Sequence, residues 1–257
     1  MRRWLWRLRC LFFLAPAATK LAVVCLLIFL IQRTAAHVEF VYGYSYAQAL
    51  VACFGLSWPL LTHGFFWQPV TYVFFHDGWA HLTFNMLVVL LFGSGLEIEI
   101  GGRRFWSVFL AGGVLGGLGW LGVTALLPFL PSLPDLTQGL PRAIRAWLPV
   151  AGAPATLNTA LCVGASGGVF GIIGAYAALF PKRVVYLIFP VPARMKARTL
   201  VLLLVGLDLA AAFFLQLRVA YPAHFAGCLA GVLYGLRLKR TGLFSDGDGG
   251  SLTDEYS

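Results

Sequence analysis

The chain has very little charge for its length. Only 11% of its 257 residues are charged, and just ten residues are acidic. Apolar residues make up 60% of the chain, and its mean hydropathy is +0.82. A soluble domain needs more polar surface than this, so the composition predicts a protein that crosses a membrane several times. The net charge of +9 forms no basic stripe on a polar surface, which excludes a nucleic-acid-binding protein.

Cysteine pairs with metal-ligand spacing are also absent. The five cysteines, Cys10, Cys25, Cys53, Cys162 and Cys228, form no C-x-x-C pair, and small buried apolar side chains are the simplest interpretation. A Cys53–Cys162 disulfide stays open as an alternative, because both residues are predicted on the outer side of the membrane.

Six apolar runs separated by charged residues predict six transmembrane helices. They cover about residues 19–33, 80–99, 105–127, 165–180, 199–217 and 222–237. We therefore expect an all-α polytopic membrane protein, with a six-transmembrane-helix bundle over residues 19–240.

The placement of basic residues predicts the orientation of these helices. Of the 19 Lys and Arg residues, only Arg33, Arg142, Arg145 and Arg218 fall on one side of a six-span arrangement. Cytoplasmic loops are enriched in Lys and Arg, so both termini are predicted to be cytoplasmic. The basic segment 1–18 also fits the start of a cleaved signal peptide, but the long apolar stretch after it favours a retained anchor.

Two long connections are predicted on the outer side. Residues 34–79 are apolar and aromatic, which predicts a loop in the membrane interface, and residues 128–164 form a long proline-rich loop. The tail 241–257 is polar and acidic, which predicts disorder. Its Asp246-Gly247-Asp248 spacing resembles part of a calcium loop, but the Glu expected at the twelfth position is missing, so we expect no calcium site.

A serine among small residues marks the start of the fourth predicted span. The sequence Gly164-Ala165-Ser166-Gly167-Gly168 places Ser166 at the N-terminal end of an apolar helix. Backbone N–H groups there have no partner within the helix, and the glycines allow another chain to come close. A hydroxyl in this setting is a candidate nucleophile.

A histidine in the sixth predicted span is the candidate base. His224 precedes Gly227, Gly231 and Gly235, which recur every four residues and share its helix face. Measured along each helix from the basic residues at its predicted cytoplasmic end, Ser166 and His224 lie at heights of about 24 and 22 Å. Because glycine faces let helices pack closely, the two side chains are predicted to meet inside the membrane. Ordinary helix packing and a structural histidine explain either feature alone, but the matched depth favours function.

The second predicted span begins with a further polar group. His81 and Asn85 are four residues apart, so they share a helix face at about the depth of Ser166. Together with the Ser166 N–H, they could stabilise the oxyanion of a tetrahedral intermediate. A polar cluster around trapped water is the alternative. A zinc site from His76 and His81 is disfavoured, because no H-E-x-x-H helix supplies the Glu base.

These motifs together resemble the rhomboid family of intramembrane serine proteases. The resemblance covers about residues 20–240, with each motif on the expected helix in the expected order. It rests on Gly164-Ala165-Ser166-Gly167, on His76, His81 and Asn85, on Ala223-His224-Phe225-Ala226-Gly227, and on Gly93, Glu97 and the segment 101–105.

The resemblance implies a six-helix, rhomboid-like bundle in the lipid bilayer that cleaves transmembrane protein substrates with a Ser–His dyad. It implies no third acid and no metal or other cofactor. By motif, Ser166 is the nucleophile and His224 the base, while His81, Asn85 and the Ser166 N–H bind the oxyanion. Supporting roles fall to His76, Gly164, Gly227 and Phe170, the last packing against the catalytic histidine.

Two features depart from the family pattern. Many members have Trp-Arg in the first outer loop, where this chain has Trp67-Gln68. That arginine is structural in the family, so the change predicts a less stable loop and leaves the chemistry unaffected. Asp208 is the one acid deep in a predicted span and matches no family motif. We interpret it as a packing or hydration residue, with gating as its alternative role.

Three other functions are alternatives to proteolysis. A catalytically inactive rhomboid-like protein that binds membrane clients usually lacks the serine or the histidine, and both are present here. A small transporter predicts inverted repeats, which the sequence does not contain. An aspartyl intramembrane protease needs two aspartates in its spans, and here Asp208 is alone. The short polar ends favour a bacterial inner membrane, while the oligomeric state stays open.

Overall fold

The structure is a computed structural model that describes residues 15–41, 44–126, 161–187, 193–210 and 220–243. Several predictions fall largely outside these ranges and are not tested by them. They concern most of the N-terminal segment 1–18, most of the loop 128–164, the end of the fifth predicted span and the tail from residue 244.

Helices dominate the described residues. In chain order they are α1 (Pro16–Ala35), α2 (Tyr46–Phe54), α3 (Trp58–Thr62), α4 (Gln68–Thr71), α5 (Trp79–Ile100), α6 (Gly102–Leu126), α7 (Ser166–Leu179), α8 (Ala197–Ala210) and α9 (Tyr221–Arg240). A 3-10 turn at Tyr72–Phe74 follows α4, and α5 contains a π-helical stretch at Val89–Gly93.

The helices coincide with the predicted spans. Each of the six predicted runs is occupied by one helix, namely α1 and α5 to α9. Within the described ranges, α1, α5 and α6 are long and apolar enough to cross a bilayer, and α7 is a shorter apolar helix. The fold class is therefore confirmed as a helical membrane bundle, while six complete crossings remain a prediction.

Two small antiparallel sheets were not predicted. Strands β1 (Glu39–Val41) and β2 (Tyr44–Ser45) form one hairpin, and β3 (Val184–Leu187) and β4 (Ala193–Lys196) form the other. Both lie in connections between helices, where the backbone has no helical partner and pairs across the connection instead. Strands this short carry too little periodicity to be recognised in the sequence.

The first outer loop contains regular structure that the sequence did not predict. Three short helices, α2 to α4, lie within residues 34–79. Gln68 is fully buried, and its side-chain amide accepts from the Ser57 N–H at 3.1 Å and donates to the Ala52 carbonyl at 3.0 Å. Trp67 donates from its indole to the Cys53 carbonyl at 2.9 Å. The lower loop stability expected at Trp67-Gln68 stays a prediction, although the glutamine amide itself binds the loop backbone.

The start of α1 is bound to the end of α5 by a buried carboxylate. Glu97 is 3% exposed and accepts from the N–H groups of Ala17 and Ala18 at 2.9 and 2.8 Å. These N–H groups lie in the first turn of α1, where no intrahelical acceptor exists and negative charge is stabilised. Glu97 therefore fixes α1 against α5.

The cysteines form no bridge among the residues that the structure describes. Cys53 and Cys162 are both free thiols, as are Cys25 and Cys228. The alternative of a Cys53–Cys162 disulfide is therefore not realised. Instead, Cys162 pairs through its backbone with Leu56, with both N–H···O distances at 2.8 Å.

Candidate active site

Ser166 is the first residue of α7, and the turn before it is held by two backbone contacts. Gly164 donates its N–H to the Tyr72 carbonyl at 3.0 Å. Ala165 donates its N–H to Nε2 of His76 at 3.5 Å. Gly164 has a φ of +129°, a conformation that favours glycine over every other residue. The turn therefore fixes where α7 begins and where the Ser166 side chain leaves the backbone.

The His224 ring packs against the face of α7 that carries Ser166. His224 is 7% exposed, and its ring stacks on Phe170 with centroids 4.4 Å apart and planes inclined by 11°. Phe170 lies one helical turn after Ser166, so both residues share a face of α7. The structure thus brings Ser166, Phe170 and His224 to one side of the contact between α7 and α9.

Glycines at the α7–α9 contact allow this approach. A Cβ atom on Gly227 would overlap the carbonyl oxygen of Gly167, and one on Gly231 would overlap the carbonyl oxygen of Gly171. Gly174 has the same relation to the carbonyl of Cys228. Because the two backbones pack this closely, His224, which precedes Gly227 on α9, lies near the start of α7.

Asp208 binds the Nδ1 edge of the His224 ring. Its Oδ2 lies 2.8 Å from Nδ1 of His224, and the two side chains are 12% and 9% exposed. The sequence indicates a packing or hydration role for Asp208, and the structure corrects this, because its carboxylate is a hydrogen-bond partner of His224. The usable signal was the burial of one acid in an apolar helix, which calls for a polar partner on a neighbouring helix.

His81 lies between Asp77 and the turn that leads to Ser166. Its Nδ1 is 2.7 Å from Oδ1 of Asp77, and this hydrogen bond lowers the pKa of the Asp77 carboxyl. A Cβ atom on Gly164 would come within 2.6 Å of Nε2 of His81. Because an ionised carboxylate only accepts, Nδ1 of His81 carries a proton, and Nε2 donates only when the ring is positively charged.

Asn85 supplies a buried donor one turn further along α5. The residue is 7% exposed, and its Nδ2 has no hydrogen-bond partner among the residues that the structure describes. An amide donor buried without a partner costs about 1–3 kcal/mol. Such groups in native proteins call for an explanation, and a catalytic role is one.

His76 is a neutral histidine clamped by α1. The side-chain amide of Gln32 donates to the His76 carbonyl and accepts from its N–H, both at 3.2 Å. Burial, together with the nearby His81, lowers the pKa of His76 to about 3. A neutral ring matches the contact with Ala165, since Nε2 must be unprotonated to accept that N–H.

Metal binding finds no support in the geometry of these histidines. The His76 and His81 rings meet edge to face with centroids 5.1 Å apart. Over the ranges described, no group of three or more His, Cys, Asp or Glu side chains is placed to hold an ion. Instead, Nδ1 of His81 binds Asp77, and Nε2 of His76 accepts the Ala165 N–H.

Comparisons with known proteins match this chain to rhomboids. A family model for the rhomboid domain matches residues 63–241. The chain is 29% identical over 168 residues to "Rhomboid protein 1, mitochondrial" of Saccharomyces cerevisiae, covering 65% of this chain and 40% of that protein. It is 28% identical over 177 residues to "Rhomboid-related protein 2" of Mus musculus, covering 66% and 47%.

A bacterial relative matches over a shorter stretch. "Rhomboid protease GluP" of Bacillus subtilis is 33% identical over 76 residues, which cover 30% of this chain and 15% of that protein. The chain thus spans less than half the length of each of these curated relatives. The rhomboid domain, however, covers well over half of this chain and includes both Ser166 and His224. The chain belongs to the rhomboid family.

Proposed function

We propose that this protein is an intramembrane serine endopeptidase that cleaves other membrane proteins in or near their transmembrane segments. The observation that carries the proposal is the stacking of His224 on Phe170, one helical turn after Ser166. This packing sets an imidazole beside the helix face that carries a hydroxyl, which is the arrangement that nucleophilic catalysis needs. Membership of a family that includes proteins named as proteases supports the class of reaction.

The proposed reaction is acyl transfer. Ser166 Oγ attacks the scissile carbonyl while Nε2 of His224 takes the hydroxyl proton, and the ring later gives that proton to the leaving amine. Water then hydrolyses the acyl-enzyme. The Ser166 N–H at the start of α7 and the unpartnered Asn85 amide are the proposed oxyanion donors. His81 is a third proposed donor, through Nε2 of its positively charged ring.

The proposed substrates must unwind before they react. An amide within a helix is hydrogen-bonded and shielded, so cleavage requires local loss of helix. Gly and Pro lower helix stability, and we expect substrates that carry them near the cleavage site. In keeping with the family resemblance, we propose lateral entry between α5 and α8.

The proposed orientation has both termini in the cytoplasm, with the bacterial inner membrane as the proposed location. Arg183, just after α7, pairs with Glu99 near the end of α5 at 2.7 Å. This ion pair sets the C-terminal ends of α5 and α7 at the same side of the bundle. Basic residues at the end of α9 and after α7 then face the cytoplasm, as the positive-inside rule requires.

Covalent labelling with a fluorophosphonate tests the proposed nucleophile. The detergent-solubilised full chain should be labelled, and Ser166→Ala and His224→Ala should lose labelling while keeping their unfolding midpoints. Ser107→Ala is the matched control, because Ser107 is an exposed serine in α6 whose hydroxyl donates to the Arg103 carbonyl. Labelling of Ser166→Ala at the wild-type rate would overturn the assignment. A folded wild type that takes no label would favour a rhomboid-like protein that binds clients without cleaving them.

A further inference from the structure

The contact between Asp208 and His224 has the features of a functional pair. Asp208 sits in α8 after a run of apolar residues from Leu200 to Leu207, and its carboxylate is 12% exposed. A carboxylate in such surroundings is costly unless a partner satisfies it. Nδ1 of His224, at 2.8 Å, is that partner.

This contact determines which ring nitrogen of His224 carries the proton. An ionised carboxylate has no hydrogen to donate, so Nδ1 holds the proton and donates it to Asp208. Nε2 then keeps its lone pair and is able to accept. Phe170 covers one face of the ring. The ring is therefore fixed by the hydrogen bond at Nδ1 and by stacking on its face.

We infer that Asp208 is a positioning residue for His224 and completes a Ser–His–Asp arrangement in this chain, an inference that rests on the proposed function. The pattern implied by the family resemblance contains no such acid, so this chain departs from it. Asp208 acts through the ring, since it holds the tautomer and the rotation that present Nε2 to Ser166.

Asp208 also stabilises the positive charge that His224 acquires during the reaction. When Ser166 Oγ bonds to the substrate carbonyl carbon, its proton moves to Nε2 and the ring becomes an imidazolium. Its positive charge then lies against the Asp208 carboxylate, which stays ionised and keeps its hydrogen bond from Nδ1. Nε2 next passes the proton to the leaving amine as the peptide C–N bond breaks, and the ring returns to its starting form.

Three variants of the full chain in detergent test this inference. Asp208→Asn keeps the size but has an amide that can donate to Nδ1 and so select the opposite tautomer. Asp208→Glu restores the carboxylate. Leu207→Ala is the matched control, since Leu207 is the preceding residue of α8 and is 56% exposed. The readouts are the rate of fluorophosphonate labelling, the unfolding midpoint and the ¹⁵N spectrum of the histidine rings, with His224→Ala assigning the His224 signals.

We expect the wild-type His224 spectrum to show the proton on Nδ1. Asp208→Asn should lower the labelling rate by about a hundredfold to ten-thousandfold with little change in the unfolding midpoint. Asp208→Glu should recover much of that loss, and Leu207→Ala should label like the wild type. A purely structural role for Asp208 predicts instead that labelling falls only in proportion to the unfolded fraction.

Two results would overturn the inference. One is an Asp208→Asn variant that labels within about twofold of the wild type, and the other is a wild-type His224 with its proton on Nε2. Failure of the proposed function gives a different pattern, because then the folded wild type itself takes no label. In that case Asp208 has no catalytic role, while the ring spectrum still reports whether it orients His224.

Discussion

At the scale of single residues, two histidines near Ser166 each bind a carboxylate through Nδ1, yet the pairs differ in exposure. The Asp77 side chain is 70% exposed, whereas that of Asp208 is 12% exposed. Water screens the outer pair and weakens it, while the inner pair keeps its geometry. The orientation of His224 is therefore more firmly set than that of His81.

Gly164 links the backbone turn to the position of His81. In Gly164→Ala, the new Cβ meets the His81 ring, and the alanine must adopt the positive φ of this position. We expect fluorophosphonate labelling to fall more than tenfold, with a stability loss of about 1–3 kcal/mol from the backbone alone. Labelling rates and unfolding midpoints in detergent measure the two effects.

Gly64 offers a control for the backbone part of this effect. It has a φ of +100° but no atom within 4 Å of an added Cβ. Gly64→Ala should therefore lose stability and keep its labelling rate when folded. Equal labelling by Gly164→Ala and Gly64→Ala would show that the contact with His81 does not matter.

His76 should make the stability of the protein depend on pH. The pKa of His76 falls from 6.5 to about 3 in the folded state. Below pH 6.5, His76 is therefore protonated in the unfolded chain but stays neutral in the folded chain. Stability is thus full above about pH 7 and declines as the pH falls towards 3, with about 2 kcal/mol lost at pH 5. Unfolding in mild detergent at pH 7.5 and pH 5 measures this loss, and His76→Phe should reduce it. An unchanged difference between the two pH values in that variant would contradict the assignment.

The residues of the site were not equally visible in the sequence. Ser166 and His224 stand in recognisable motifs, and glycine spacing indicates the helix faces that meet. Asp208 stands in no motif, and its partner lies on another helix. Sequence periodicity does not give the rotation of α8 relative to α9, so only the structure shows that the acid reaches Nδ1.

At the scale of helices, the contact between α7 and α9 positions the site. Gly231 shows how little space remains, because an added Cβ would overlap the Gly171 carbonyl oxygen and lie 2.8 Å from the Gly171 Cα. We expect Gly231→Ala to force these helices apart, at a cost of about 3 kcal/mol or more. Labelling of Ser166 should fall as well, because His224 moves with α9. Thermal unfolding and fluorophosphonate labelling report the two effects.

The matched control is Gly206→Ala in α8. An added Cβ there meets no atom within 4 Å, and alanine favours a helix over glycine by about 0.5–1 kcal/mol. This variant should be as stable as the wild type or more so. If Gly231→Ala behaved in the same way, close glycine packing would not be what holds α7 against α9.

The positions of the helices were largely predictable, and the connections were not. Apolar runs bounded by charge located α1 and α5 to α9, since burial in a membrane demands such runs. The short helices of the first outer loop and the two hairpins depend on tertiary hydrogen bonds, such as those of Gln68. A local sequence pattern does not encode those partners.

At the scale of the whole molecule, distant parts of the chain support the site through buried polar contacts. Glu97 binds the first turn of α1 to α5, Gln32 binds α1 to His76, and Gln68 holds the first outer loop. Each contact satisfies backbone groups that would otherwise be buried without partners. The bundle thereby fixes His76, which in turn accepts the N–H of Ala165 beside Ser166.

Cleavage in a reconstituted membrane tests whether Ser166 and His224 carry out intramembrane proteolysis. The wild type, Ser166→Ala and His224→Ala would be placed in liposomes with a panel of tagged single-span proteins that carry Gly or Pro near the outer end of their membrane segment. We expect the wild type to release a fragment cut in or near that segment, and both variants to lose activity by about a thousandfold or more. Release of the same fragment by Ser166→Ala at a rate close to that of the wild type would contradict the account.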